Sequence, residues 1–133
     1  MCIFCDIAKG TIPSHKIYED DSVLAFFDIN PTSYGHALVI PKEHSNSFLT
    51  CKKETLNHVL EVAQQLANQL KENLNCDGIN ILTNVGEAAG QTIEHFHVHI
   101  IPRYEDSPKD NANIQFGEIG TVDFEALLTN VKR

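Results

Sequence analysis

The sequence has few basic residues and no long apolar run. Its 133 residues include no tryptophan, one methionine and 10 Lys and Arg against 18 Asp and Glu, which gives a formal net charge of −8. No segment approaches the ~18 consecutive apolar residues of a membrane-spanning helix. The first residues, MCIFCDIAKG, lack the basic start and the cleavage site of a secretion signal. These absences predict a cytoplasmic protein that makes no membrane contact.

Clusters of Lys and Arg are also missing, and polyanion binding needs such clusters. We therefore expect no extended nucleic-acid surface, although a small anionic ligand can still bind in a local pocket. The chain has four cysteines. Because it has no secretion signal, we expect thiols or metal ligands rather than disulfides.

The pattern of apolar residues predicts one α+β domain. KIYEDDSVLAFFDIN indicates a hairpin that turns at residues 19–22, and HALVIP indicates a third strand. Apolar residues recur every three or four positions from Glu54 to Leu74, which indicates one long amphipathic helix. INILTNV and HFHVHIIP follow as a fourth and a fifth strand. This order predicts an antiparallel sheet of about five strands with one long and one or two short helices.

Residues 1–104 are expected to form the core of this domain, and residues 105–133 a tail. Residues 105–113 are polar turn formers, whereas five apolar residues further on are spaced as in a short helix: Val122, Phe124, Leu127, Leu128 and Val131. We expect this helix to dock on the same domain or on a dimer partner.

Three histidines alternate with apolar residues in IEHFHVHIIPRY: His95, His97 and His99. Alternate side chains of a strand share a face, ~6.6–7 Å apart, so the three imidazoles should line one surface or cleft while the intervening apolar residues face the core. A solvated strand face alone does not explain three histidines, because Thr, Lys or Glu would serve such a face equally well. Two functional interpretations remain, namely metal binding and phosphorus or acyl chemistry with histidine as nucleophile or acid/base.

The loop NVGEAAGQT precedes these histidines. Gly86 and Gly90 allow the backbone to approach a ligand closely, and Asn84, Gln91 and Thr92 offer neutral hydrogen-bond donors. Such a loop suits an anion better than a metal. It lacks the lysine of a nucleotide-triphosphate loop.

HFHVHII resembles the His-x-His-x-His-x-x signature of the histidine triad (HIT) family of nucleotide hydrolases and transferases, and it is most similar to the Hint branch. The similarity extends through CIFCDIAKGTIPSHKIYEDDSVLAFFDINPTSYGHALVIPKEH and NVGEAAGQT to HFHVHIIPR, about residues 2–103, or roughly four-fifths of the chain.

The resemblance assigns roles to individual residues. In this family the middle histidine attacks the α-phosphorus of a nucleotide derivative, which implies that His97 is the nucleophile and that His99 contacts the phosphate or the leaving group. His36 matches a position behind the triad. Asp28 matches the carboxylate that accepts hydrogen bonds from the ribose. The resemblance further implies a phosphate-contacting set, Asn84, Gly90, Gln91 and Thr92, and an apolar slot for the base, Ile3, Phe4, Ile7, Phe26 and Ile29.

The spacing of Cys2-x-x-Cys5 fits half of a tetrahedral Cys2His2 zinc site. A redox pair is disfavoured, because the motif is not placed within a βαβ unit. Some members of the family bind structural zinc through these cysteines and two distant histidines, which match His44 and His95. His95 would then serve the metal. Cys51 and Cys76 are expected to be packing residues.

The sequence thus predicts a hydrolase or transferase that cleaves purine nucleoside phosphoramidates or dinucleoside polyphosphates at the α-phosphorus through a nucleotidyl-histidine intermediate, releasing a nucleoside monophosphate. Two alternatives stay open. One is a zinc-dependent hydrolase with the triad as metal ligands, and the other is a nucleotide-binding or partner-binding module with incidental turnover. The resemblance also implies a two-fold homodimer.

Overall fold

The structure, a computed structural model, describes residues 2–133. Five antiparallel strands form one open sheet in the order β1-β2-β3-β5-β4. This confirms the predicted α+β class. The elements in chain order are α1 Ile3–Lys9, β1 Lys16–Glu19, β2 Val23–Phe27, β3 Ala37–Pro41, α2 Lys53–Leu74, β4 Gly78–Leu82, a 3₁₀ turn Glu87–Ala89, β5 Val98–Arg103 and α3 Phe124–Val131.

The two main helices cover opposite faces of the sheet. The predicted long helix is confirmed as α2, and its apolar stripe packs on one face in a cluster that includes Val39, Val98 and Ile100. On the other face, α1 contributes Phe4 and Ile7 to a second cluster. The alternation of side chains along β2 and β3 divides their apolar residues between these two clusters.

Helix α1 is not predicted by the sequence pattern. Its start is capped by Cys2, whose Sγ accepts a hydrogen bond from the N–H of Cys5 at 3.3 Å. It ends at Gly10, whose φ of 83° lies in the left-handed region that favours glycine. A helix of only 7 residues is too short for apolar periodicity to reveal it, and the flanking cap and glycine were its available signals.

The histidine strand begins later than predicted. β5 starts at Val98, so His95 and His97 lie in the segment before it, and β4 ends at Leu82 rather than continuing to Val85. The predicted alternation is nevertheless confirmed, since Phe96, Val98 and Ile100 belong to the cluster under α2. Helix α1 covers the face on which the histidines lie, and His97 is therefore only 5% exposed to solvent.

The segment after β5 is tied to the sheet at its start. Arg103 Nε donates to Asp110 Oδ2 at 2.8 Å, and the N–H of Tyr34 donates to the carbonyl of Lys109 at 2.8 Å. The predicted short helix is confirmed as α3, and its apolar side chains are exposed in the single chain. Its docking, like the boundary at residue 104, stays a prediction. From Cys2 to Arg133, every helix is either too short or too polar to cross a membrane.

Candidate active site and metal centre

His97 is held by its neighbours in one tautomer. Its Nδ1 lies 2.7 Å from the carbonyl oxygen of His95, and because a carbonyl only accepts, Nδ1 carries the proton. The ring edge of Phe4 packs against the imidazole, with centroids 5.0 Å apart. Burial lowers the pKa of His97, opposed by the His95 carbonyl and Asp28. The result is a neutral imidazole whose Nε2 keeps its lone pair.

His99 receives a hydrogen bond through a chain that begins at the backbone. The N–H of Thr32 donates to His36 Nδ1 at 3.2 Å, which leaves the proton of His36 on Nε2. That Nε2 lies 3.0 Å from His99 Nδ1 and donates to it. His99 therefore carries its own proton on Nε2. Burial, with His97 and His36 nearby, lowers the pKa of His99 to about 4, so this ring is neutral at pH 7.

Asp28 lies at the end of β2 beside this chain. Its Oδ1 accepts the N–H of Asn30 at 2.8 Å, which is a local turn, while its Oδ2 lies 3.8 Å from His36 Nε2. The carboxylate is therefore partly engaged in the turn, and one oxygen faces the histidines.

The residues predicted to form the base slot lie together with Asp28 around one cleft of about 180 Å³. α1 supplies one wall and β2 with its following loop supplies the other. Phe4, Ile7 and Phe26 are buried, whereas Ile29 is 76% exposed at the rim. The further lining residues are mostly apolar: Ile12, Pro13, Leu38 and Ile93 among them.

The loop of residues 84–92, here called the glycine loop, is held in its conformation by the side chain of Gln91. Its Nε2 donates to the carbonyls of Asn46 and Ile93, at 2.7 and 3.0 Å, and its Oε1 accepts the N–H of Gly86 at 2.9 Å. The amide donors of Gln91 thus bind carbonyls of the protein itself, although the sequence predicts that Gln91 contacts phosphate. Asn84 lies beneath Gly90, and a Cβ added there would come within 3.5 Å of its Nδ2. That distance is an ordinary van der Waals contact, but Gly90 has φ +97°, in the left-handed region that favours glycine, so the backbone conformation disfavours a side chain at this position.

The four predicted metal ligands converge. The ligand atoms of Cys2, Cys5, His44 and His95 all lie within 4.8 Å of one another. His95 Nδ1 is 3.2 Å from Cys2 Sγ and 3.5 Å from Cys5 Sγ, and His44 Nδ1 is 3.3 Å from Cys5 Sγ. A tetrahedral zinc with bonds of about 2.0–2.3 Å requires ligand separations of about 3.3–3.8 Å. The cluster therefore has the size of a zinc site.

The hydrogen bonds around the cluster favour a cation. His95 Nε2 donates to the carbonyl of Pro41 at 2.8 Å, and His44 Nε2 pairs with Asn46 Oδ1 at 2.9 Å. Each ring thus carries its proton on Nε2, which leaves two unprotonated Nδ1 atoms facing each other at 3.2 Å. Two lone pairs repel at this distance, and a shared metal ion removes the repulsion. Burial and Cys2 raise the pKa of the Cys5 thiol, which argues against a reactive thiolate without a cation.

His95 connects the two sites. Its ring belongs to the cysteine cluster, and its carbonyl orients His97. Phe4, between the two cysteines in sequence, packs its ring edge against both histidines. From the sequence, Phe4 is predicted only as part of the base slot. Thr83, whose hydroxyl donates to the carbonyl of His97 at 2.7 Å, is not predicted at all, because no sequence pattern marks a threonine that bonds a distant main-chain atom.

Together, the fold and the site define a class: small antiparallel α+β domains in which a row of imidazoles lies beside an apolar cleft. The chain belongs to the HIT domain family, whose sequence model matches residues 9–106.

Three similar proteins illustrate this family. An uncharacterized HIT-like protein of Methanocaldococcus jannaschii is 44% identical over 132 residues, 99% of each chain. The adenosine 5′-monophosphoramidase of Saccharomyces cerevisiae is 41% identical over 105 residues, 79% of this chain and 64% of the yeast protein. The crystal structure of a zinc-bound histidine triad protein from Mycobacterium smegmatis has a TM-score of 0.76 and 38% identity, and the match covers 86% of this chain and 84% of that one.

Proposed function

We propose that this protein cleaves purine nucleoside phosphoramidates at the α-phosphorus, with His97 as the nucleophile. The observation that carries the proposal is the fixed tautomer of His97: its Nδ1–H is bound to the His95 carbonyl, so Nε2 offers a lone pair. The activity of the yeast relative, an adenosine 5′-monophosphoramidase, supports the same substrate class.

The reaction divides into two displacements. His97 Nε2 attacks the α-phosphorus, the bond from phosphorus to the leaving nitrogen breaks, and the nitrogen departs with that electron pair and takes up a proton from solvent, so that it leaves as an amine. Water then attacks the phosphorus of the nucleotidyl-histidine and loses a proton to solvent, and the electron pair of the breaking P–N bond returns to Nε2, which releases the nucleoside monophosphate and restores the imidazole. His99, whose proton is held on Nε2 by the bond from His36, donates to a phosphate oxygen or to the leaving group.

The charges around the site favour an amine as leaving group over a polyphosphate. Two polar clefts flank the glycine loop, and their lining includes the carboxylates of Glu87 and Glu94 but no Lys or Arg. A polyphosphate leaving group carries several negative charges and would meet no Lys or Arg side chain there. A neutral or cationic amine avoids this repulsion.

Replacing His97 tests the covalent mechanism. We expect His97→Ala to abolish both turnover and a transient mass increase of one nucleotidyl group, with AMP binding largely kept, because the base cleft and the glycine loop remain. Loss of a nucleophile costs several orders of magnitude, on the order of 10⁴-fold or more. Rapid-quench mass spectrometry with an adenosine phosphoramidate measures both quantities. His15→Ala, at an exposed position outside the site, is the matched control. Near-normal turnover by His97→Ala would overturn the proposal.

We further propose that Cys2, Cys5, His44 and His95 bind one structural zinc ion. The donor set, the separations of the ligand atoms and the two facing Nδ1 atoms support this assignment, as does the zinc bound by the mycobacterial relative. Of the triad, only His95 belongs to this cluster, which gives the alternative of a zinc-dependent hydrolase no support. Zinc-binding thiolates require a reducing compartment, and we propose the cytoplasm.

A homodimer is also proposed. β4 is an edge strand, and its Ile81 is 53% exposed. An unpaired apolar edge is a surface that a second copy can cover with its own β4.

A further inference from the structure

Thr83 lies where β4 and β5 separate. The last register pair of the two strands is Leu82 with His99, and the ladder leaves a gap beyond it. Across this gap, Thr83 Oγ1 donates to the main-chain oxygen of His97 at 2.7 Å. A side-chain hydroxyl therefore continues the connection between the strands where the main-chain ladder has ended.

This bond completes the support of His97. The imidazole is oriented on one side by its Nδ1–H bond to His95 and on another by the ring of Phe4. Neither contact fixes the main chain from which the imidazole projects. The hydroxyl of Thr83 does, and it does so from the residue directly before Asn84, the start of the glycine loop.

We infer that Thr83 is a positioning residue, which sets the distance between His97 Nε2 and a phosphate held by the glycine loop. The inference rests on the proposed function, in which His97 is the nucleophile. Without the hydroxyl, the main chain of His97 can shift relative to Asn84, and a misplacement of about 1 Å at a reacting atom costs about 100-fold in rate. Binding of the nucleotide changes little, because the base cleft and the loop are intact.

Two variants separate the hydroxyl from the packing of the side chain. Thr83→Val keeps the shape and removes the donor, and we expect kcat with an adenosine phosphoramidate to fall about 10- to 100-fold while KM stays within about twofold. Thr83→Ser keeps the donor and should restore kcat to within about threefold of the unmodified protein. Both are assayed well below their unfolding temperatures, so that lost stability does not lower the rate. A Thr83→Val protein with unchanged kcat, or a Thr83→Ser protein as slow as Thr83→Val, would overturn the inference.

A second measurement does not depend on turnover. In protein labelled with ¹⁵N-histidine, the ring resonances of His97 should broaden or split in Thr83→Val and remain single in Thr83→Ser, while those of His58, on α2, stay unchanged in both. If the ring spectrum of His97 is the same in all three proteins, Thr83 does not position it. If the spectrum responds as expected but no nucleotide substrate is turned over, the positioning stands and the proposed function fails.

Discussion

Main-chain partners, directly or through one further ring, set the tautomers of His36 and of the three triad histidines. The carbonyl of Pro41 fixes His95, the carbonyl of His95 fixes His97, and the N–H of Thr32 fixes His36 and, through it, His99. Each ring is thus a donor at one nitrogen and an acceptor at the other before any ligand arrives. Residue identity alone predicts a row of imidazoles, but not the tautomer of each, because the deciding atoms come from distant backbone.

Replacing His36 tests this chain of hydrogen bonds. His36→Leu removes the donor to His99 Nδ1, so the proton of His99 is no longer confined to Nε2, and we expect kcat to fall about 10- to 1,000-fold, as when an active-site donor is lost. His36→Gln keeps an amide donor and should recover part of this loss. Steady-state kinetics with an adenosine phosphoramidate provides the measurement. Equal rates for His36→Leu and the unmodified protein would show that His99 needs no such partner.

The elements differ in how far sequence specifies them. The 22-residue α2 carries six turns of apolar periodicity and is predictable to within one residue, whereas α1, with 7 residues, carries two turns and is visible only through its caps. The sequence predicts too early a start for β5, because the alternation of His and apolar residues extends to residues before Val98, which do not pair with β4. The sequence pattern predicts on which face of the sheet a side chain lies, whereas main-chain hydrogen bonding determines where the strand begins.

The position of α1 would give the proposed zinc ion an effect on the base cleft as well as on stability. Both cysteines belong to this helix or its cap, and the same helix forms one wall of the base cleft. Because the body of the domain supplies His44 and His95, a bound metal joins α1 to the sheet. Loss of the metal should therefore loosen the cleft.

A cysteine variant measures this effect. We expect Cys5→Ala to lose the zinc, about one ion per chain, to unfold several degrees lower, and to bind AMP more weakly, with a smaller effect on kcat at saturating substrate. Elemental analysis, thermal unfolding and calorimetric titration give the three quantities. Cys51→Ala, at a half-buried thiol outside the cluster, is the control. Absence of zinc from protein purified without chelator would refute the proposed metal site.

At the scale of the whole molecule, the prediction from sequence succeeded where it used contacts within one chain. The sheet and the long helix follow from patterns that a single chain satisfies, whereas the meeting of Cys2, Cys5, His44 and His95 is what the resemblance to the HIT family implies. The tail does not, since α3 exposes apolar residues such as Phe124 and Val131. Their docking on the same domain or on a dimer partner stays a prediction.

Sedimentation tests the proposed dimer. We expect a mass about twice the 14.9 kDa of one chain at micromolar concentration, and a shift toward the single chain in Ile81→Lys, which places a charge on the edge strand β4. Leu49→Lys introduces the same charge on the loop before α2, at a residue that is 74% exposed, and should leave the mass unchanged. A mass near that of one chain for the unmodified protein would contradict the dimer.

The orienting acceptor of His97 is the carbonyl of His95, a main-chain atom that no point mutation can delete. Evolution can therefore exchange the side chain at position 95, and with it one of the proposed metal ligands, without removing the carbonyl that orients His97. The side chain of residue 95 could then change with the metal, while the carbonyl of the same residue kept its bond to His97. A lineage could give up its metal while retaining this part of its chemistry, provided that other contacts kept α1 in place.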